Sequence, residues 1–323
     1  MQIDKKKIKR YSTIGARPTL GRVLQELAKE DRDIMVLVAD VSTSAGLERF
    51  KKSLPEQFLD VGIAEQNMMA VATGLAKEGF KVVTTTFAPF QSMRCLEQIR
   101  VNQGYMGMPI VMVGLTSGVY HSYLGNTHCC FEDGAILRSI PDMTVISPAN
   151  GAEIAKALEA SIGYGKPVYI RLPENKGLPV IHEDDFDFEI GKGIRLRDGE
   201  DVALIANGTM VETALKVADI LDEKGFSSLV VDMHTMKPLD AGLLDRLKPY
   251  PLLVTIEEHS VIGGLGFAVA EYYAPYRERP QHILFGIKDF YPHAGEYAEA
   301  LGQCGLLPEQ IADELEKKLG CGS

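Results

Sequence analysis

Short runs of β-branched and aliphatic residues alternate with longer helical patterns along this chain, and that alternation restricts it to parallel sheet built from β-α-β units. Runs at 34–39, 81–86, 110–114, 144–147 and 167–172 read as strands. Residues 65–78, 93–103 and 152–162 read as intervening helices, closed by Gly79, Gly104 and Gly163. After Leu172 the pattern gives way to PENKGLPVIHEDDFDFEIGKG, rich in proline, glycine and acid. A second alternation begins at Asp201, with strands expected at 202–206, 228–232, 252–257 and 282–286 and helices at 211–224, 241–247, 266–273 and 308–319. The expected fold class is α/β, two tandem open α/β domains: an N-terminal tail at 1–13, a first domain at 14–175, a linker at 176–200 and a second domain at 201–323. Open parallel sheets bind ligands at the carboxyl ends of their strands, so the residues after Ala39, Thr86, Gly114 and Leu172 are the ones to read for function.

A length of 323 residues accommodates two such domains. Lys plus Arg number 34 against 44 for Asp plus Glu, a net charge of -10, so a nucleic-acid footprint would need a local basic cluster. The one candidate, Lys5, Lys6, Lys7, Lys9 and Arg10, reads as a solvated tail without an aromatic platform. Five cysteines without CxxC spacing fit neither a disulfide framework nor a zinc site and suit a reducing compartment. The N-terminus lacks the apolar core of a signal peptide, and no run approaches the roughly 18 apolar residues that span a membrane. A soluble, cytoplasmic protein with no membrane or nucleic-acid partner is expected.

The most informative segment is DVGIAEQNMMAVATGLA at 60–76, where a short loop feeds a small-residue helix with Glu65 in its first turn. Taken alone, Glu65 could simply complement the helix N-terminus with its charge. With TTFAPFQSMRCLEQIR, GNTHCCFEDGAILRSIPDMTVISPANGAE, PVYIRL, DMHTMKPLD and TIEEHSVIGGLG following in order, the chain resembles the pyrimidine-binding and C-terminal domains of the transketolase family along essentially its whole length.

The resemblance implies thiamine diphosphate as cofactor. In such sites the protein supplies orientation and electrostatics while the cofactor carries the carbanion chemistry. Glu65 matches the carboxyl that bonds the aminopyrimidine ring nitrogen and favours its imino tautomer; a group sharing a proton in this way belongs in a dry site. Phe87 and Phe90 match the aromatic walls of the pyrimidine, and Met93 stands where transketolases often carry tyrosine. Asp40 matches a residue near the thiazolium ring, and His128 the histidine that assists proton transfers on the substrate. Arg17, Ser44, His121, Leu124 and Arg171 fall at positions facing the substrate. Asp40, Arg17 and Ser44 would equally serve as helix caps or surface partners.

Three departures concern substrate recognition. Leu124 replaces an aspartate that bonds a sugar hydroxyl, Glu174 replaces an arginine that grips phosphate, and Ser117 and Gly118 lie near an expected histidine. A carboxylate in place of a bidentate phosphate grip turns attraction into repulsion. The substrate is therefore expected to differ from a simple pentose or hexose phosphate. Tyr120, His121 and Tyr123 are candidate substitute contacts.

The family binds the diphosphate and its Mg²⁺ through a further domain carrying a GDG motif, and no GDG occurs in this sequence. The resemblance thus implies the second chain of a split enzyme, completed as a heterotetramer by a partner that holds the diphosphate and metal. This chain itself is expected to supply no metal ligand. Gly263, Gly264 and Gly266 could either cradle an anion at a helix N-terminus or permit tight packing, and packing is the expected role. Cys129 and Cys130 read as small core residues. The expected activity is transfer of a two-carbon ketol or acyl unit between carbonyl compounds. The alternatives are the β subunit of a 2-oxo acid dehydrogenase and a non-catalytic regulatory homologue.

Overall fold

The computed structural model describes residues 2–173 and 178–320 and divides into two α/β units. The first comprises the residues up to Ser117 together with Ile136–Ile190. Its strands β1 (Ile34–Val38), β2 (Phe58–Asp60), β3 (Lys81–Phe87), β4 (Val111–Leu115), β5 (Thr144–Ile146) and β6 (Val168–Leu172) run in the order β5-β6-β4-β3-β1-β2. All five of these pairings are parallel. Helices on both faces bury such a sheet twice over, which is why its strands read as near-continuous Val and Ile runs. Val36, Val38, Val83, Val113 and Ile170 are fully buried, and each stabilises the fold by about 1.5–3 kcal/mol.

The helices of this region are α1 (Lys5–Ile14), α2 (Ala16–Glu30), α3 (Glu48–Ser53), α4 (Glu65–Lys77), α5 (Ala88–Gln91), α6 (Leu96–Ile99), α7 (Asp133–Arg138) and α8 (Gly151–Ile162). The basic N-terminus is not a loose tail. Asp4 caps α1 by accepting from the Lys7 amide, and Ile3, Ile8 and Tyr11 are buried. Burial, together with the nearby Glu26 carboxylate, pushes the Tyr11 hydroxyl up to about 12. The lysines occupy the outer face, where Lys7 pairs with Glu26 and Lys5 with Asp184. The stretch expected as a linker is also engaged: Leu178 donates its amide to the Ser12 carbonyl at 3.0 Å, and Phe186, Phe188 and Ile190 pack on the core. The single helix expected at 93–103 is broken instead. Pro89 starts α5, the chain turns through Ser92–Cys95, and a wide π-turn at Arg100–Tyr105 follows α6.

One close approach fixes the loop after β1. A Cβ on Gly21 would lie 2.1 Å from the Gly46 carbonyl oxygen, and one on Gly46 would lie 2.6 Å from the Arg17 carbonyl oxygen. Gly46 also has φ +71°, the left-handed region that favours glycine. Gly21→Ala is therefore expected to force backbone apart at a cost of about 1–3 kcal/mol. Thermal unfolding should register this as a fall in Tm of about 3–10 °C; an unchanged Tm would show that the loop yields.

The second unit comprises Gly118–Ala135 and the residues from Gly191 onward. It holds β7 (Ile194–Arg197), β8 (Val202–Ala206), β9 (Ser228–Asp232), β10 (Thr235–Lys237), β11 (Leu252–Ser260) and β12 (Gln281–Ile287). Its five-stranded sheet runs β12-β11-β8-β9-β7, with β7 antiparallel to β9 and the other pairings parallel. Helices α9 (Met210–Glu223), α10 (Ala241–Leu247), α11 (Leu265–Tyr273), α12 (Tyr297–Gln303) and α13 (Pro308–Gly320) complete it. Residues 118–135 join this unit although the sequence inserts them between β4 and β5. Among the described residues no helix is long and apolar enough to cross a membrane.

Candidate functional site

The clearest constellation lies at the carboxyl end of β3. The strand ends at Phe87, and Pro89 in the first turn of α5 starts a helix at once, so Phe90 follows within one turn. The Phe87 and Phe90 rings sit edge to face, 6.3 Å apart at 83°, a geometry their quadrupoles favour. Ser92 Oγ donates to the Ala88 carbonyl, and Cys95 Sγ lies 3.1 Å from the Phe90 carbonyl. This tight turn leaves Met93 39% exposed and carries Arg94 back over the ring of Phe90, its guanidinium carbon 4.0 Å from the ring centroid.

Arg94 Nη1 donates to Glu65 Oε1 at 2.7 Å. Glu65 opens α4, is 5% exposed, and follows Ala64, which offers no side-chain cap. The helix dipole favours a negative charge there, and Arg94 supplies a planar cationic partner. Gln66 Nε2 donates to the Arg94 carbonyl at 3.1 Å, tying the same two segments a second time. Sequence reasoning missed Arg94: it adjoins Met93 in the motif, but its pairing with Glu65 spans 29 residues. Burial, with Glu65's charge adding, pushes the Cys95 thiol up to about 12, the opposite direction from an activated thiolate.

Asp40 is exposed at the end of β1, in the left-handed region at φ 57°. Its amide donates to Asp60 Oδ1 at 2.9 Å, and the Gly62 amide donates to the same oxygen at 3.1 Å. Asp60, also missed, thus ties the loop after β1 to the one that leads into α4. Arg17 and Ser44 are brought together, with Arg17 Nη1 donating to the Ser44 carbonyl at 3.1 Å. Arg171 is 3% exposed on β6, in register with Gly114 of β4. Glu174 lies outside the described residues.

The remaining candidates lie in the second unit, on the segment 118–135. His121 is 4% exposed, its ring edge to face with Tyr123 at 5.5 Å, while Leu124 is half exposed. His128 is half-buried, with Nδ1 3.1 Å from the Thr127 hydroxyl. Cys129 and Cys130 are buried, and burial pushes the Cys129 thiol up to about 11. Among the expected residues, Glu65 and Phe90 share Arg94, Phe87 packs on Phe90, and Arg17 bonds Ser44; His121, Leu124 and His128 share one segment of chain, Asp40 follows β1 and Arg171 lies on β6.

The glycine-rich turn before α11 already holds an anion from its own chain. Glu257 accepts the Leu265 amide at 2.6 Å and the Gly266 amide at 2.8 Å. A Cβ on Gly264 would lie 2.1 Å from Glu257 Oε2, so the glycines let this carboxylate close in on the helix start.

The constellation at Glu65 fits the aminopyrimidine half of thiamine diphosphate. It joins a buried carboxylate for a ring nitrogen to an aromatic pair for a flat ring, all within one unit.

Comparison with known proteins gives the same outline. The models for "Transketolase, pyrimidine binding domain" and "Transketolase, C-terminal domain" match residues 12–178 and 191–311. A putative transketolase C-terminal section from Methanocaldococcus jannaschii is 38% identical over 94% of this chain and 96% of its own length. An apulose-4-phosphate transketolase subunit from Phocaeicola vulgatus is 35% identical over 92% of this chain and 95% of its own. Among solved structures, a split gene transketolase described as an inactive beta4 tetramer superposes with a TM-score of 0.86 at 36% identity, covering 95% of this chain and 98% of that one.

Proposed function

The chain belongs to the transketolase family, and from that premise we propose that it is the second subunit of a split transketolase, handling the ring of thiamine diphosphate while a partner chain holds its diphosphate and Mg²⁺. Members of the family are transferases, and their domains imply dependence on thiamine diphosphate. The observation that carries the reading is the buried carboxylate of Glu65 beside the Phe87–Phe90 pair. Bound there, the cofactor supplies a carbanion able to take up a two-carbon ketol or acyl unit and pass it to a second carbonyl compound.

The chain's own residues do the rest. Glu65 holds a proton at the aminopyrimidine nitrogen; Phe87 and Phe90 wall the ring and exclude water, and Met93 fills the gap beside them. Asp40 would face the thiazolium ring. His128 moves protons on the substrate hydroxyls. Arg17, Ser44, His121, Leu124 and Arg171 contact the substrate. The partner, a chain of roughly 250–300 residues and so slightly above the usual size of one domain, joins in a heterotetramer with two copies of each chain. Two relatives named as a C-terminal section and as a transketolase subunit align over nearly their full length, which supports this division.

The substrate is a carbonyl compound other than the ordinary pentose phosphates. Leu124 cannot accept a sugar hydroxyl's hydrogen bond, and a relative that carries apulose-4-phosphate in its name supports a substrate outside the common sugars. The assembled complex, assayed with xylulose 5-phosphate and ribose 5-phosphate, is expected to turn over at least about 100-fold more slowly than with its own substrates, the scale of a lost hydroxyl partner. Transfer between those two sugars at ordinary transketolase rates would exclude this specificity.

A further inference from the structure

Four consecutive residues of the motif TIEEHS, at the end of β11, have separate tasks. Glu257 caps α11, as described above, and the next three all turn toward the segment 118–135. Glu258, 5% exposed, accepts the Val119 amide at 2.7 Å on one oxygen. Its other oxygen accepts the Tyr297 hydroxyl at 2.7 Å and the Thr209 hydroxyl. Burial and the charge of Glu258 hold the Tyr297 hydroxyl well above its ordinary value, so it remains a donor. The carboxylate is packed so closely that a Cβ on Gly118 would lie 2.2 Å from Oε1, and Gly118 has φ +91°.

His259 grips the other end. Its Nδ1 lies 2.7 Å from the Ser260 carbonyl and must carry the proton, which leaves Nε2 as the acceptor for the Ala135 amide at 3.1 Å. The ring is fully buried, with a carboxylate oxygen of Glu257 3.8 Å from Nδ1 and one of Asp133 4.0 Å from Nε2. Ser260 donates its amide to the Phe131 carbonyl at 2.7 Å. Between these ends the segment is stitched to the loop before α12: Asn126 Nδ2 donates to the Pro292 carbonyl at 2.9 Å, Ser122 Oγ donates to the Gly295 carbonyl at 2.8 Å, and the Tyr120 and Tyr297 rings lie 5.2 Å apart.

We propose that Glu258 and His259 are positioning residues that clamp the two ends of the segment 118–135 and so fix the backbone that carries His121, Leu124 and His128. This rests on the functional reading of those three residues. Neither Glu258 nor His259 touches the reacting atoms in this scheme. They act by fixing the backbone on which the substrate-facing side chains stand. A buried carboxylate that receives three donors has discrete geometry, and removing it leaves three donors unsatisfied in one place.

The test uses two variants and two readouts. In the full chain alone, Glu258→Ala should raise amide exchange across 118–135 by about tenfold or more while β8 and β9 keep their protection. Glu258→Gln, which retains an acceptor for the Val119 amide, should restore most of that protection. In the assembled complex, Glu258→Ala should raise the acceptor KM about tenfold and lower kcat, with the affinity for thiamine diphosphate changed by no more than about twofold. Unchanged exchange across 118–135 would overturn the clamp, and raised exchange with unaltered KM and kcat would overturn its positioning role. A wild-type complex with no ketol transfer would instead sink the functional reading. The exchange measurement on the chain alone decides the clamp independently of that result.

Discussion

Glu65→Gln is expected to lower ketol transfer by the assembled complex about 10²–10⁴-fold, the range associated with loss of a positioned proton-transfer group. Glutamine preserves the shape of the side chain and an acceptor for Arg94, so the Glu65–Arg94 contact would weaken from a charged to a neutral hydrogen bond. Because Arg94 is 44% exposed on its side chain, the loss in stability should be small and the fold intact. The decisive pattern is a collapse of kcat with native thermal unfolding. Turnover by Glu65→Gln within a few fold of wild type would remove Glu65 from the chemistry and reduce it to the helix-start charge that it resembles in isolation.

The second large effect concerns completeness. Purified alone, the chain should show no detectable ketol transfer and little affinity for thiamine diphosphate with Mg²⁺, because the site proposed at Glu65, Phe87 and Phe90 would hold a ring and not a diphosphate. Addition of the partner chain should restore both, and calorimetric titration of the cofactor into each preparation would measure the difference. Robust activity of the isolated polypeptide would refute the split arrangement.

Much of the sheet framework is legible in the amino-acid sequence. Strand β8 is buried on both faces and appears as the unbroken apolar run VALIA, while the buried β9 shows the shorter apolar run Leu229–Val231 between Ser228 and Asp232. The edge strand β7, with the half-exposed sequence IRLR, gives no such run and escapes detection. Helix α1 is hidden for a different reason: five basic side chains dominate its sequence, while only two residues, Ile8 and Tyr11, are buried to seat it.

The candidate site divides in the same way. A helix starting near Glu65 is legible because the motif is contiguous. The Arg94 partnership and the Asp60 tie are not, since each joins residues 20 or more positions apart through polar bonds that leave no periodic trace. The same holds for the attachment of 118–135 to Glu258, across 139 residues.

That attachment bears on how freely such chains can be taken apart and recombined. A cut in the region of residue 190 would give two pieces by sequence, but the strip between β4 and β5 would be left on one piece with its bed on the other. The halves should therefore be inherited as a matched pair. A chimera that combines the N-terminal half of one relative with the C-terminal half of another would import a foreign seat for its own segment 118–135, and its stability should follow the fit between the two parents as much as the residues of either.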